Sequence, residues 1–281
     1  MTLLSDLLKE PHCYLEKLLD KDCESQASPL KQLRDLNQYY KNTEAAGEKM
    51  NPDLLEDLNC KLRKQFCVPS NSRELNLNFK KVRDSGMKLL SGHLEDPKCK
   101  MEKLLLRWCS LSGESCAILA SVLSTNSSCL RELDLSNNKL QDSGVQLLCV
   151  GLENPHCQLK ILSMAGCNLT EKCCAILASV LSSDSSRLRE LNLSSNKLQD
   201  SGVKLICAGL ENPHCKLMTL KLKYCSITEE GCADMFHALK SNSSSHLREL
   251  NLSLNKPGES GVKLLSFLVE NPHYKLAKLD I

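Results

Sequence analysis

A stretch of 28 residues, Leu130–Cys157, returns almost letter for letter 58 residues later as Leu188–Cys215, and in a looser copy as Leu247–Tyr274. Between the first two copies lies a sister unit, Leu159–Arg187, whose own relatives begin at Met101 and Leu217. Self-similarity at a period near 29 residues constrains the fold more than composition can, because it marks an array of stacked units. One such unit cannot bury enough apolar surface to offset the entropy of ordering it, so neighbours must cover both of its faces.

Each unit opens with the pattern L-x-x-L-x-L-x-x-(N/C)-x-L. In Leu130, Leu133 and Leu135 the spacing shortens to two, as in a strand with alternate side chains facing in. The following Val145, Leu147, Leu148, Val150 and Leu152 have helix-like spacing. Pro155 then closes the unit, since proline cannot continue a helix. One strand and one helix per repeat predict an α/β, right-handed solenoid: a horseshoe with parallel strands on the concave face and helices on the convex face.

The ninth position of the pattern alternates along the chain: Cys109, Asn138, Cys167, Asn196, Cys225, Asn255. An Asn there can satisfy buried main-chain groups of the turn leaving the strand, and a thiol fits the same slot as a small, weakly polar group. These six form a predicted structural ladder. The alternation of Asn-type and Cys-type units resembles the ribonuclease-inhibitor subtype of leucine-rich repeats, from Ser72 to the C-terminus.

From Ser72 the register is continuous. Units start at Ser72, Met101, Leu130, Leu159, Leu188, Leu217 and Leu247, and a terminal strand starts at Leu276, so residues 72–281 are read as regular repeats. Residues 3–20 align without a gap with the tail from Leu264, and residues 1–23 are read as a partial repeat. Residues 24–71 lack the strand motif and are read as divergent helical repeats or an insertion, with helix starts at Ser28-Pro29 and Asn51-Pro52. A start partway through a repeat helix and an end on a repeat strand lead us to expect a piece of a longer protein. The serine-rich stretches 124–129, 182–186 and 241–245 are expected to be solvated loops.

Seventeen cysteines would raise the question of disulfides in a secreted chain. Here they recur with the repeat, as Cys116, Cys174 and Cys232 on helices and Cys99, Cys157 and Cys215 in turns, and are read as reduced residues of a cytoplasmic protein. The pairs His12-Cys13, His156-Cys157 and His214-Cys215 recur too far apart to converge on one metal ion. No basic, apolar N-terminal leader is evident, and no stretch has the ~20 apolar residues needed to cross a bilayer. A net charge of +2 gives no electrostatic case for nucleic acid. Phosphate loops, dinucleotide fingerprints, zinc-ligand spacings and nucleophile elbows are all missing, so neither enzyme activity nor a cofactor is expected.

A partner would meet the third, fifth and seventh positions of the pattern, which face away from the leucines. The third positions include Lys103, Glu132, Glu190 and Glu249; the fifth and seventh include Asp134, Lys221, Arg107 and Lys223. Acidic strands thus alternate with basic ones at Lys103/Arg107 and Lys221/Lys223. Cross-strand pairing of these charges is the bland reading. Phe79, Trp108 and Tyr224 occupy the eighth position, at the rim where the strands turn outward. Aromatic residues beside Arg or Lys suit a binding anchor, with packing against an adjacent turn as the competing reading.

The motifs LRELDLSNNKLQDSGVQLL and CAILASVLS, in strict alternation, are similar to the leucine-rich region of NOD-like receptors, particularly the group expanded in fishes. That resemblance implies an intracellular innate-immune sensor whose repeats bind a protein or pathogen-derived ligand on the concave face, or restrain a NACHT module in the full-length chain. Nothing in these residues corresponds to that module. The alternatives are a stand-alone ribonuclease inhibitor, which would favour a strongly acidic inner face with many aromatic anchors, and a scaffold or GTPase-regulatory repeat protein.

Overall fold

The computed structural model describes residues 72–242 and 244–281; the readings of residues 1–71, including the partial repeat and the two helix starts, lie outside the described residues. Strands and helices alternate throughout. The strands are β1 Glu74–Asn76, β2 Lys103–Leu105, β3 Glu132–Asp134, β4 Ile161–Ser163, β5 Glu190–Asn192, β6 Thr219–Lys221, β7 Glu249–Asn251 and β8 Lys278–Asp280. The intervening helices are α1 Arg83–Leu94, α2 Gly113–Ser124, α3 Gln141–Leu152, α4 Lys172–Ser182, α5 Gln199–Glu211, α6 Glu229–Ser241 and α7 Gly258–Glu270.

All eight strands pair in parallel, each with the next in sequence. The register steps by one repeat, stacking Leu104, Leu133, Leu162, Leu191 and Leu220 in a row. An extra residue before β7 sets Thr219 opposite Glu249 without disturbing the row, because it is absorbed outside the sheet. Parallel strands sit ~4.8 Å apart, whereas packed helices need ~8–10 Å. The helical side of the array is therefore the longer one, and the strands line the inside of the curve.

The core lies between the two layers. The strand leucines Leu133 and Leu135 and the helix residues Val145, Leu148 and Leu152 are buried together, as are their counterparts one repeat on at Leu162, Met164, Cys174, Leu177 and Leu181. Leu147 and Val150, in the same apolar run, are exposed. A helix turning 100° per residue can bury Val145, Leu148 and Leu152 only by rotating those two outward.

Close packing between helices rests on small residues. A Cβ at Gly209 of α5 would stand 2.9 Å from the Cα and 3.0 Å from the carbonyl oxygen of Ala178 on α4. The same contact recurs between Gly151 of α3 and Ala120 of α2, at 2.7 Å to each atom. The serine-rich loops are only partly solvated. Ser128, Ser186 and Asn242 are buried, and the Asn242 amide donates to the Leu210 carbonyl at 2.8 Å.

Candidate functional site

Two polar ladders hold the turns that shape the inner face. In the first, Asn138 reaches back to the turn of the preceding Cys-type unit. Its amide donates to the carbonyls of Leu106 at 2.8 Å and Leu135 at 2.7 Å, and its oxygen accepts from the amides of Cys109 and Leu111, both at 3.0 Å. Asn196 repeats this with Met164, Leu193, Cys167 and Leu169, and Asn255 with Leu222, Leu252, Cys225 and Ile227. The thiols of Cys109, Cys167 and Cys225 donate in turn to Leu77, Leu135 and Leu193 of the unit before, at 3.0, 3.2 and 3.3 Å. Burial pushes these thiols up, to about 11 for Cys109 and about 12 for Cys167, although neighbouring backbone amides pull the other way. At neutral pH they are protonated donors, and the turn is a passive frame.

The second ladder links the helix starts of successive units. Asp142, at the start of α3, accepts from the Thr170 amide at 2.8 Å and its hydroxyl at 2.6 Å. Asp200 does the same for Thr228, and Asp84 for Ser112, where it also accepts from the Ser115 hydroxyl at 2.5 Å. Each aspartate thereby fixes the residue that starts the next unit's helix. Burial raises the Asp84 carboxyl, but the hydrogen bonds from Ser115 and Ser112 outweigh it and leave the group below its usual range.

On the inner face the predicted charges divide into two groups. Lys103 lies 3.3 Å from Glu132 and 3.8 Å from Glu74, and Arg107 lies 3.2 Å from Asp134. That basic strand is neutralised by its neighbours. Lys221 at the end of β6 and Lys223 in the turn that follows are different: among the described residues neither has an ion pair, and their neighbours are Asn192 and Ser194 on one flank and Asn251 and Ser253 on the other. Those asparagines turn away from β6, Asn192 donating to Ser163 at 3.1 Å and Asn251 to Asp280 at 3.1 Å. Glu190 and Glu249 flank Thr219, at the other end of the same strand.

The rim carries the large apolar groups. Phe79, Trp108 and Tyr224 are 72%, 56% and 66% exposed, and Leu254, at the same position of the last full unit, is 68% exposed. Leu254 occupies the eighth position of the unit from Leu247, a place that its aliphatic character does not mark in the sequence. This eighth position is left-handed in every unit, with φ of 64° at Phe79, 57° at Trp108, 59° at Asn137, 63° at Gly166, 58° at Ser195, 53° at Tyr224 and 59° at Leu254. Gly and Asn adopt that backbone readily, whereas a bulky residue there costs of order 1–3 kcal/mol. Four units thus hold a large, mostly exposed side chain on a strained backbone. The result is two apolar pairs, Phe79/Trp108 and Tyr224/Leu254, on either side of the smaller Asn137, Gly166 and Ser195.

A family model described as leucine-rich repeat matches residues 126–149, 185–207 and 243–266. The chain is 45% identical over 178 residues to human NACHT, LRR and PYD domains-containing protein 12, a match covering 63% of this chain and 16% of that protein. It is 48% identical over 164 residues to bovine NACHT, LRR and PYD domains-containing protein 3, covering 58% of this chain and 16% of that protein. Mouse ribonuclease inhibitor is 43% identical over 180 residues, covering 64% of this chain and 39% of the inhibitor. The chain therefore spans well under half the length of these relatives. Among solved structures, the leiomodin-1 actin-binding site 2 aligns over 39% of this chain and 62% of its own, at 19% identity and a TM-score of 0.33.

Proposed function

Taking the chain as an array of ribonuclease-inhibitor-type leucine-rich repeats, the repeat type found in NOD-like receptors, we propose that it is the ligand-sensing arm of an intracellular innate-immune receptor. It acts by holding a protein or pathogen-derived ligand against the strand-lined concave face and its rim. The observation that carries the reading is the rim: four largely exposed large apolar side chains held on a strained, left-handed backbone. Such residues, next to Arg107 and Lys223, are the kind that dominate binding energy when a partner desolvates them. The polar ladders support the same reading, since they fix the turns from which the rim residues project without using the rim residues themselves.

An intracellular setting is supported by thirteen free cysteines among the described residues, all but Cys129 buried. No helix of the described residues is long and apolar enough to cross a membrane. In a full-length receptor the same face would sense ligand while the array restrains a NACHT module. The array itself would carry no catalysis and no cofactor.

The similarity to ribonuclease inhibitor favours a second reading, a stoichiometric blocker of a pancreatic-type nuclease. Unpaired Lys221 and Lys223 argue against it, because a basic enzyme would meet like charge there. Mixing the protein with pancreatic-type ribonuclease decides between the two. Our reading predicts unchanged RNA hydrolysis at a several-fold excess of the protein; stoichiometric inhibition at nanomolar concentration would replace it with the inhibitor reading.

A further inference from the structure

Resting on the concave-face reading above, we propose that the β5–β7 end of the face is a subsite for an acidic polypeptide segment that carries a large apolar side chain. The unneutralised positive charge of the inner strands is concentrated there. Lys103 and Arg107 are answered by Glu74, Glu132 and Asp134 on adjacent strands, whereas Lys221 and Lys223 meet only amide and hydroxyl neighbours. The side-chain amides beside them donate away from β6, to Ser163 and Asp280, and no carboxylate among the described residues pairs with either lysine.

The exposed Tyr224 and Leu254 stand at the rim end of these strands. Tyr224 continues β6 directly from Lys223, and its amide donates to the Ser253 carbonyl at 3.0 Å, which sets Leu254 alongside it. The backbones of two residues this close along an extended chain stand roughly 7 Å apart, with the ammonium groups free to spread further. That spacing suits two separate carboxylates, and the apolar pair beyond them suits one large side chain of the same segment.

The opposite end of the strand limits what can bind. Glu190 and Glu249 flank Thr219, so a ligand with continuous negative charge, such as a nucleic-acid backbone or an anionic lipid surface, would be repelled as it left the lysines. A polypeptide can place its carboxylates over Lys221 and Lys223, its apolar side chain on Tyr224 and Leu254, and neutral or basic residues near the glutamates. The surface therefore selects by charge pattern as well as by charge sign.

The test uses the full chain and a fluorescein-labelled peptide in which aspartate and glutamate surround one tryptophan and one leucine. Fluorescence anisotropy should detect binding that weakens as salt rises. The double variant Lys221→Glu/Lys223→Glu should weaken it about tenfold or more, and Tyr224→Ala should weaken it too. Val150→Ala, exposed on the helical side, should leave it within about twofold of the parent. Thermal melts followed by circular dichroism establish that each variant is folded. Absence of peptide binding by the parent chain, or equal binding by the charge-reversed variant, overturns the subsite. So does tighter binding of a single-stranded RNA or of phosphatidylserine vesicles than of the peptide. Any of these would remove this partner chemistry while leaving the wider concave-face reading to its own test.

Discussion

Asn196→Ala tests the frame on which the rim is built. Asn196 is buried and serves both sides of a turn. It donates to the Met164 carbonyl at 2.9 Å and the Leu193 carbonyl at 2.8 Å, and it accepts from the Cys167 amide at 3.0 Å and the Leu169 amide at 3.1 Å. Alanine removes these bonds, with a longer one to the Ser194 carbonyl at 3.2 Å, and leaves two buried amides without an acceptor. Each orphaned donor costs about 1–3 kcal/mol. Water entering the vacated space recovers part of that, which leaves a loss of about 2–4 kcal/mol. With a urea dependence of about 1–3 kcal/mol per molar, the unfolding midpoint should fall by about 1 M or more. Asn255 makes the corresponding bonds in a half-buried site, where water can replace them more easily, so Asn255→Ala should cost less. Urea unfolding followed by both circular dichroism and tryptophan fluorescence provides the measurement. A midpoint for Asn196→Ala equal to the parent's, or above that of Asn255→Ala, refutes the reasoning.

Gly209→Ala should destabilise the array by about 1–3 kcal/mol, since the clash with the Ala178 backbone outweighs the ~1 kcal/mol that alanine gains in helix propensity; a raised melting temperature would contradict the close helix contact. The Asp84 carboxyl is held below its ordinary value of 3.8, so its stabilisation is present above that pH and is lost as pH falls through the lowered folded value. Stability measured from pH 5 down to pH 2 should therefore fall less steeply in Asp84→Asn than in the parent. The Cys116 and Cys149 thiols are pushed up to about 12 by burial. Peptide mapping after alkylation at pH 8 should find them modified only in denaturant, while exposed Cys129 reacts in the native protein.

Much of the architecture was legible because a solenoid writes its fold once per repeat. The two-residue spacing of Leu133 and Leu135 marks a strand in any single unit, and the register of the sheet then follows from the repeat length. Helix faces were less legible: Leu147 and Val150 look like core in a string of letters, and only the rotation that buries Val145, Leu148 and Leu152 turns them outward. The Asp142–Thr170 link was invisible for a different reason. Its partners are 28 residues apart, and no local pattern records a hydrogen bond between turns of successive units. The rim position shows both effects. Gly166 and Asn137 hint at a left-handed backbone, but Trp108, Tyr224 and Leu254 conceal it, so their strain emerges only from the dihedral angles. The striping of charge on the inner strands could be read directly, whereas its neutralisation around Lys103 and Arg107, and not around Lys221 and Lys223, depends on which side chains each neighbouring strand presents.

Partners are expected to meet the strand side of the array and its rim, not the helical side. Site-specific photo-crosslinking reads this directly, with a photoreactive amino acid placed in cells at Tyr224 in one variant and at exposed Val150 of α3 in another. Our account predicts a discrete, ultraviolet-dependent adduct from position 224 and none from position 150. An adduct formed from position 150 alone would contradict it.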